Sequence, residues 1–100
     1  MKRYSIVWSI QSREDLREIR RFIARDAPNT ARSFVRRLRS SVDRLRTFPE
    51  GGQVVPELGN PTIREVLYGQ YRIIYETRFN QVEILTVFHG ARLLDETSFD

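Results

Sequence analysis

Residues 63–88 decide the fold and read IREVLYGQYRIIYETRFNQVEILTVF. Within them, short runs rich in β-branched and aromatic residues alternate with turn-sized segments. The runs are 63–67, 71–77 and 81–88, and the turn segments are 68–70 and 78–80. Because such short connections join neighbouring strands antiparallel, we predict a three-stranded antiparallel meander over about residues 63–89.

A short strand and two amphipathic helices are predicted upstream of the meander. Residues 3–8 alternate, with Tyr4, Ile6 and Trp8 on one face, which indicates a strand. Apolar residues then recur at helical spacing in two stretches that Pro28 separates. They are Leu16, Ile19, Phe22 and Ile23 in the first stretch, and Ala31, Phe34, Val35, Leu38, Val42 and Leu45 in the second.

Residues that favour helix ends set the limits of these helices. Ser9 or Ser12 is predicted to cap the first helix, which runs to about Arg25. Asn29 or Thr30 is predicted to cap the second helix. Two such helices joined by a short break form a helical hairpin.

The element order is β-α-α-β-β-β, which predicts an α+β fold. In this fold the helical hairpin, about residues 10–47, packs on one face of a mainly antiparallel sheet. A tail, residues 91–100, follows the meander. A chain of 100 residues has room for one domain of ordinary size, so we expect residues 1–100 to form a single domain.

The composition excludes several classes of site. The chain has no cysteine and a single histidine, His89, so no metal is expected. Gly51 and Gly52 precede no phosphate-binding lysine, and no cofactor is expected. No apolar run approaches the roughly 20 residues of a membrane span or forms a signal peptide. We therefore expect a cytoplasmic protein with no membrane partner.

Charge is distributed unevenly along the chain. Residues 1–49 carry 13 basic and 5 acidic residues, a net charge of +8, whereas residues 50–100 carry 4 and 8, a net charge of −4. All basic residues except Lys2 are arginine. Because the planar guanidinium binds carboxylates and phosphates equally well, an acidic protein and a nucleic acid both remain open as partners.

Several short strings occur in a fixed order along the chain. They are Glu14-Asp15-Leu16 with Ile19 and Ile23, then Ala31, Phe34 and Leu38, then Phe48-Pro49 with Gly51, then Arg64-Glu65, Tyr71-Arg72-Ile73-Ile74-Tyr75 and Val87-Phe88-His89-Gly90-Ala91-Arg92. With the element order, this set resembles the RelE/ParE superfamily of bacterial toxin–antitoxin toxins, and the ParE branch most closely. The resemblance implies a toxin of the plasmid-stabilisation type that inhibits DNA gyrase. It also implies neutralisation by a small cognate antitoxin, with operator DNA contacted only through the toxin–antitoxin complex.

RNA cleavage is the main alternative, because RelE-like toxins cut messenger RNA on the ribosome. The resemblance puts Arg72 at the position of a catalytic strand arginine, and His89 near a catalytic histidine of some relatives. Arg64 and Arg92 complete this candidate set. A third hypothesis is a non-toxic relative that only binds an antitoxin and operator DNA.

Two departures from the nuclease pattern favour a toxin that is not an enzyme. Glu65 stands in the strand that supplies cations in RelE-like nucleases, and residues 93–100 are acidic and would repel RNA phosphates. Arg72 is then expected to pair with Glu65 or Glu83 across neighbouring strands.

Two surfaces suit an antitoxin that wraps around the toxin. Arginines along one flank of the second helix offer charge-assisted hydrogen bonds to an acidic peptide. They are Arg32, Arg36, Arg39 and Arg46. The strand 63–67, if it lies at an uncovered edge, offers backbone groups for strand addition. The candidate contacts with the target are Arg64, Arg72 and Arg92.

Overall fold

The computed structural model describes residues 3–90 and shows an α+β fold over this range. In chain order the elements are β1 (Ser5–Trp8), α1 (Ile10–Ala24), α2 (Pro28–Ser40), a 3-10 helix (Asp43–Arg46), β2 (Gln53–Val54), β3 (Ile63–Tyr68), β4 (Tyr71–Arg78) and β5 (Gln81–His89). The strands form one sheet in the order β1-β5-β4-β3-β2. The predicted N-terminal strand, helical hairpin and antiparallel meander are confirmed, while the predicted tail, residues 91–100, lies outside the described residues.

Two-residue turns connect the strands of the meander. Gly69, between β3 and β4, has a φ of 58°, and Phe79 and Asn80, between β4 and β5, have φ values of 51° and 61°. These left-handed conformations match the right-handed twist of paired strands. As a result β4 pairs with β3 on one side and with β5 on the other along almost its whole length.

The first strand, β1, is the exception to the antiparallel pattern. It pairs in parallel with β5, so that Ser5 lies opposite Gln81 and Trp8 lies opposite Ile84. The sheet is therefore mainly antiparallel, as predicted, and β1 forms one of its edges.

The main hydrophobic core lies between the sheet and the two α-helices. The helices and the turn after them contribute Leu16, Ile19, Leu38, Val42 and Leu45, and the sheet contributes Val66, Ile73, Tyr75, Val82, Ile84 and Val87. A smaller cluster of Val55, Ile74 and Phe88 lies on the opposite face. The loop between β2 and β3 covers this cluster with Leu58, so both faces of β4 are buried.

The helix limits differ from the predicted ones in two places. Pro28 itself begins α2, with Ala27 as the N-cap, because proline has no N–H to satisfy and its φ already suits a helix. The helix ends at Ser40, and residues 43–46 form a separate 3-10 helix. The hydroxyl of Ser41 donates to the Leu38 carbonyl oxygen at 2.6 Å, which competes with the helical hydrogen bonds.

Two further features of the structure differ from the simplest interpretation of the sequence pattern. Strand β3 is not a free edge, because β2 pairs with it through Gln53 and Val54. Phe22 is 63% exposed instead of buried. The reason is angular, since Phe22 lies about 120° around α1 from Leu16 at 3.6 residues per turn.

Candidate functional site

Arg72 is a buried, multiply hydrogen-bonded side chain on the outer face of the sheet, which is the face away from the two α-helices. Its Nη1 and Nη2 atoms donate to the two carboxylate oxygens of Glu57 at 2.6 and 2.9 Å, and its Nε donates to Glu65 at 2.6 Å. The side chain of Arg72 is only 10% exposed and that of Glu65 only 8%. The predicted pairing of Arg72 with Glu65 is therefore present. Glu83 instead lies opposite Glu76, further along β4.

Glu57 is the partner that the sequence did not reveal. It belongs to the loop between β2 and β3, where the backbone N–H groups of Leu58 and Gly59 both donate to the carbonyl oxygen of Val55. Burial of Val55 and Leu58 against the outer face of the sheet brings Glu57 to Arg72. No periodic pattern marks this loop, so the sequence carried no signal for the contact.

The Arg72 cluster (Arg72, Glu57 and Glu65) holds a permanently charged guanidinium. Hydrogen bonding to Glu57 raises the pKa of Arg72 above its ordinary value, burial opposes this, and Glu65 adds to the increase. The guanidinium also lies over the ring of Phe88, 5.5 Å from its centroid. Both hydrogen-bonding edges of Arg72 are therefore bound to carboxylates, and the cluster carries a net charge of −1.

The other nuclease candidates do not join Arg72. His89 lies opposite Tyr71 in the strand pairing, whereas Arg72 lies opposite Phe88. Because adjacent residues of a strand point to opposite faces, His89 and Arg72 lie on different faces of the sheet. The His89 ring contacts the Tyr71 ring, and its Nε2 atom lies 3.1 Å from the amide oxygen of Gln70.

Arg64 lies on the same face as His89 but far from it. It is opposite Tyr75, four residues along β4 from the partner of His89, which is about 13 Å of strand. Its Nη1 donates to the carbonyl oxygen of Gly52 at 3.0 Å. Arg92 lies outside the described residues. The three described candidates therefore point to three separate places.

The four predicted flank arginines do come together. With Ile6, Trp8 and Val35 they line an open groove of about 510 Å³ between α2 and β1, which we call the arginine groove (Trp8, Arg32, Arg36, Arg39 and Arg46). The guanidinium of Arg39 lies 5.4 Å from the centroid of the Trp8 ring. Asp43, also in the lining, lies 4.0 Å from Arg46.

The arginine groove borders an open sheet edge that sequence reasoning had placed elsewhere. Strand β1 pairs only with β5, so its other edge is unpaired by any described strand. Trp8 packs against the main core and also lines the groove. A groove of arginines beside a free strand edge can bind an extended acidic peptide through both its side chains and its backbone.

Two further kinds of feature are absent from the described residues. Residues 3–90 contain no cluster of three or more histidine and carboxylate side chains arranged to bind a metal ion. None of the helices in this range has the length and apolar character that a membrane span requires.

Comparison with known proteins gives a consistent result. The sequence model of the ParE toxin of the type II toxin–antitoxin system parDE matches residues 6–94. The chain is 34% identical to toxin RelE2 of Caulobacter vibrioides over 89 residues, which are 88% of this chain and 97% of that protein. It is also 34% identical to the putative toxin Y4kP of Sinorhizobium fredii over 91 residues, 90% of this chain and 92% of that one.

Solved structures show the same fold. A chain of the chromosomal ParDE toxin–antitoxin system from P. aeruginosa superimposes with a TM-score of 0.73 at 18% identity, covering 86% of this chain and 95% of that one. A chain of the RelBE2 toxin–antitoxin complex from Mycobacterium tuberculosis gives a TM-score of 0.58 at 22% identity, covering 92% and 97%. The sequence matches decide the family: this chain belongs to the ParE toxins of type II toxin–antitoxin systems.

Proposed function

We propose that this toxin inhibits DNA gyrase by binding to it and does not cut messenger RNA. The observation that carries the proposal is the state of Arg72, whose two hydrogen-bonding edges are both bound to carboxylates. A phosphate approaching Arg72 meets a cluster with a net negative charge. Arg72 therefore cannot act as the preorganised cation that stabilises phosphate charge during cleavage.

The separation of the other candidates supports the same conclusion. General acid–base catalysis needs its groups within hydrogen-bonding reach of one reacting centre. His89 and Arg72 lie on opposite faces of the sheet. Arg64 and His89 are offset by about 13 Å along the direction of β4, the strand that lies between them. The proposed target places the action of the toxin in the cytoplasm.

A ribosome-dependent messenger RNA endonuclease is the second candidate. It is favoured by the name of one relative, toxin RelE2 of Caulobacter vibrioides, and by the fold shared with a RelBE2 complex. For this chain it would require Glu57 to release Arg72 when the ribosome binds.

The distinguishing experiment follows DNA and protein synthesis by pulse-labelling after induction without antitoxin. Purified toxin is tested in parallel for inhibition of gyrase supercoiling and for cleavage of ribosome-bound messenger RNA. We expect DNA synthesis to fail first, cells to filament, and messenger RNA to stay intact. If protein synthesis stops within minutes and transcripts are cut, the gyrase proposal is wrong. If neither synthesis changes, the chain is a non-toxic relative.

We also propose that the arginine groove binds the cognate antitoxin. The two solved structures described above come from toxin–antitoxin systems. The groove combines exposed arginines with the free edge of β1, which suits an acidic, extended segment. Operator DNA would then be reached through the bound antitoxin.

The test of this second proposal is the triple variant Arg32→Gln, Arg36→Gln and Arg39→Gln. We expect weaker antitoxin binding with a smaller dependence of Kd on salt, because fewer charged contacts remain. The matched control is Arg20→Gln, Arg21→Gln and Arg25→Gln, which removes the same charge from exposed positions of the first helical segment. An equal loss of affinity in both triple variants would sink the assignment, since it would reflect net charge alone.

A further inference from the structure

The β4–β5 turn presents a bulky side chain in an unfavourable backbone conformation. Phe79 is 91% exposed and has a φ of 51°, and the next residue, Asn80, has a φ of 61°. In two-residue turns of this kind, asparagine, aspartate or glycine normally fill both positions, because a β-carbon is strained at positive φ. The backbone conformation of Phe79 therefore lowers the stability of the fold, and burial of the ring does not compensate, because the residue is almost fully exposed. Strain of this sort persists mainly where a functional surface requires the side chain.

A second exposed phenylalanine lies at the same end of the molecule. Phe48 is 66% exposed and lines an open cleft of about 770 Å³ together with Tyr4 and Pro49. The backbone N–H of Tyr4 donates to the carbonyl oxygen of Arg46 at 2.8 Å, and the backbone N–H of Ser5 donates to the carbonyl oxygen of Asn80 at 3.1 Å. Tyr4 thus lies between the segment of Phe48 and the turn of Phe79. We call this surface the aromatic end (Tyr4, Phe48 and Phe79).

The backbone on the Phe48 side of the aromatic end is held in place by hydrogen bonds. The hydroxyl of Tyr75 donates to the carbonyl oxygen of Pro49 at 2.7 Å and accepts from the N–H of Gly52 at 2.9 Å. The N–H of Phe48 donates to the carbonyl oxygen of Arg44 at 2.9 Å. A backbone segment that is already ordered loses less conformational entropy on binding, so Phe48 contributes more of its contact energy to affinity.

The charges around the aromatic end are mostly positive. Arg3 is exposed, Arg44 lines the cleft, and the side chain of Arg78 is 66% exposed beside Glu76. Glu50 is the one acidic residue among those that line the cleft. Aromatic residues and arginine are the types enriched in protein–protein hot spots. A matching surface would offer an apolar pocket with carboxylates at its rim.

We infer that the aromatic end docks into an acidic-rimmed apolar pocket of the toxin's protein target, with Phe79 as the inserted side chain; this rests on the proposed inhibition of gyrase. Neither Phe79 nor Phe48 lines the arginine groove, which is proposed to bind the antitoxin. The toxin would therefore use different surfaces for its target and for its antitoxin.

The test is the variant Phe79→Asn, which places a residue that tolerates positive φ at the strained position. We expect its thermal midpoint to equal or exceed that of the wild type, its Kd for the antitoxin to stay unchanged, and the concentration for half-inhibition of gyrase supercoiling to rise at least tenfold. Phe79→Tyr keeps the ring and should retain inhibition. Phe48→Ser tests the cleft independently. The matched control is Phe22→Gln, which removes a ring that is 63% exposed beside His89, at the other end of β5.

The inference would be overturned if Phe79→Asn inhibited gyrase as strongly as the wild type. It would also be overturned if Phe22→Gln lost as much inhibition as Phe79→Asn. A parallel loss of antitoxin affinity would also overturn it, since the surface would then belong to the antitoxin. If the wild type arrests growth without inhibiting gyrase, the proposed function fails. In that case growth arrest is the readout: its loss in Phe79→Asn supports docking to another target, and its retention rejects docking altogether.

Discussion

Asp15 in α1 and Val87 in β5 are joined by a hydrogen bond of 2.9 Å from the backbone N–H to the carboxylate. The same carboxylate oxygen accepts from the hydroxyl of Thr86 at 2.6 Å. Pairing between β1 and β5 ends at Trp8 and Ile84, so β5 continues without a neighbouring strand on that side. The Asp15 carboxylate therefore accepts a hydrogen bond from a backbone N–H of β5 that β1 does not reach. This bond connects the helical hairpin to the sheet.

The first prediction concerns this link. Asp15→Ala should lower the free energy of unfolding by about 2–4 kcal/mol, because the part-buried donors of Thr86 and Val87, and the exposed amide of Gln11, lose a charged acceptor. Asp15→Asn keeps one acceptor oxygen and should lose about half as much. Urea denaturation measures both. Asp43→Asn is the control, since its contact with Arg46 is 4.0 Å long and exposed, and it should cost less than about 0.5 kcal/mol. Equal losses at Asp15 and Asp43 would contradict the assigned link.

The second prediction concerns the Arg72 cluster. Arg72→Met should lower the free energy of unfolding by about 3 kcal/mol, because it leaves the buried Glu65 carboxylate without a cation. Adding Glu65→Leu should recover part of the loss, since Glu57 is 24% exposed and can be hydrated. Denaturant titrations of the single and double variants give the coupling energy. Simple additivity of the two substitutions would show that the contact has no energetic significance.

The third prediction concerns Gly52. A β-carbon at this position would lie 2.5 Å from the carbonyl oxygen of Glu65 and 2.7 Å from the hydroxyl of Tyr75. Gly52→Ala should therefore cost about 1–3 kcal/mol through displacement of β3 or of Tyr75. Gly59→Asn is the control, because nothing lies within 4 Å of its β-carbon position and asparagine tolerates its φ of 62°. Thermal unfolding should separate the two variants clearly, and similar midpoints would refute the steric argument.

The fourth prediction concerns pH. Burial raises the pKa of Tyr75 above the ordinary tyrosine value, although its hydrogen bond with Gly52 opposes this. Between about pH 10 and the raised pKa, the unfolded chain releases this proton while the folded chain keeps it. The contribution of Tyr75 to the free energy of unfolding is therefore fully present below about pH 10. Above that pH it falls by at most about 1.4 kcal/mol per pH unit.

Tyr75→Phe removes that proton and should flatten this part of the profile. At pH 8 it should be less stable by about 1–3 kcal/mol, because it leaves Gly52 and Pro49 without a hydrogen-bond partner. The stability difference between wild type and variant should then shrink as pH rises from 9 to 11. Urea titrations across this range measure the difference, and a constant value would contradict the raised pKa.

Periodic segments of the fold could be predicted from the sequence, and irregular ones could not. The alternation around residues 71–77 and 81–88 located β4 and β5 to within one residue at each end. Strand β2 has only two residues, too few to show any period. The stripe that includes Val42 and Leu45 was apolar at helical spacing, but periodicity does not report that α2 ends at Ser40, next to the Ser41 hydroxyl that donates to the Leu38 carbonyl oxygen.

The candidate site divides in the same way. Glu65 could be identified as a partner of Arg72 because strand pairing brings neighbouring strands into register. Glu57 could not, since the path of its loop depends on how Val55 and Leu58 are buried. The separation of Arg72 from His89 follows from strand alternation, but only once the register that puts His89 opposite Tyr71 is known.

Strand β5 has a consequence for the synthesis of the toxin. Strand β5 lies between β1 and β4 in the sheet. Ser5 of β1 pairs with Gln81 of β5, which is 76 residues further along the chain. A ribosome-bound chain that has already made the helical hairpin and the β3–β4 pair still lacks the only described strand that pairs with β1. The arginine groove and the aromatic end both depend on β1 being in place. We therefore expect the nascent chain to be harmless until β5 emerges, which gives an antitoxin made at the same time the chance to meet each toxin molecule as it completes its fold.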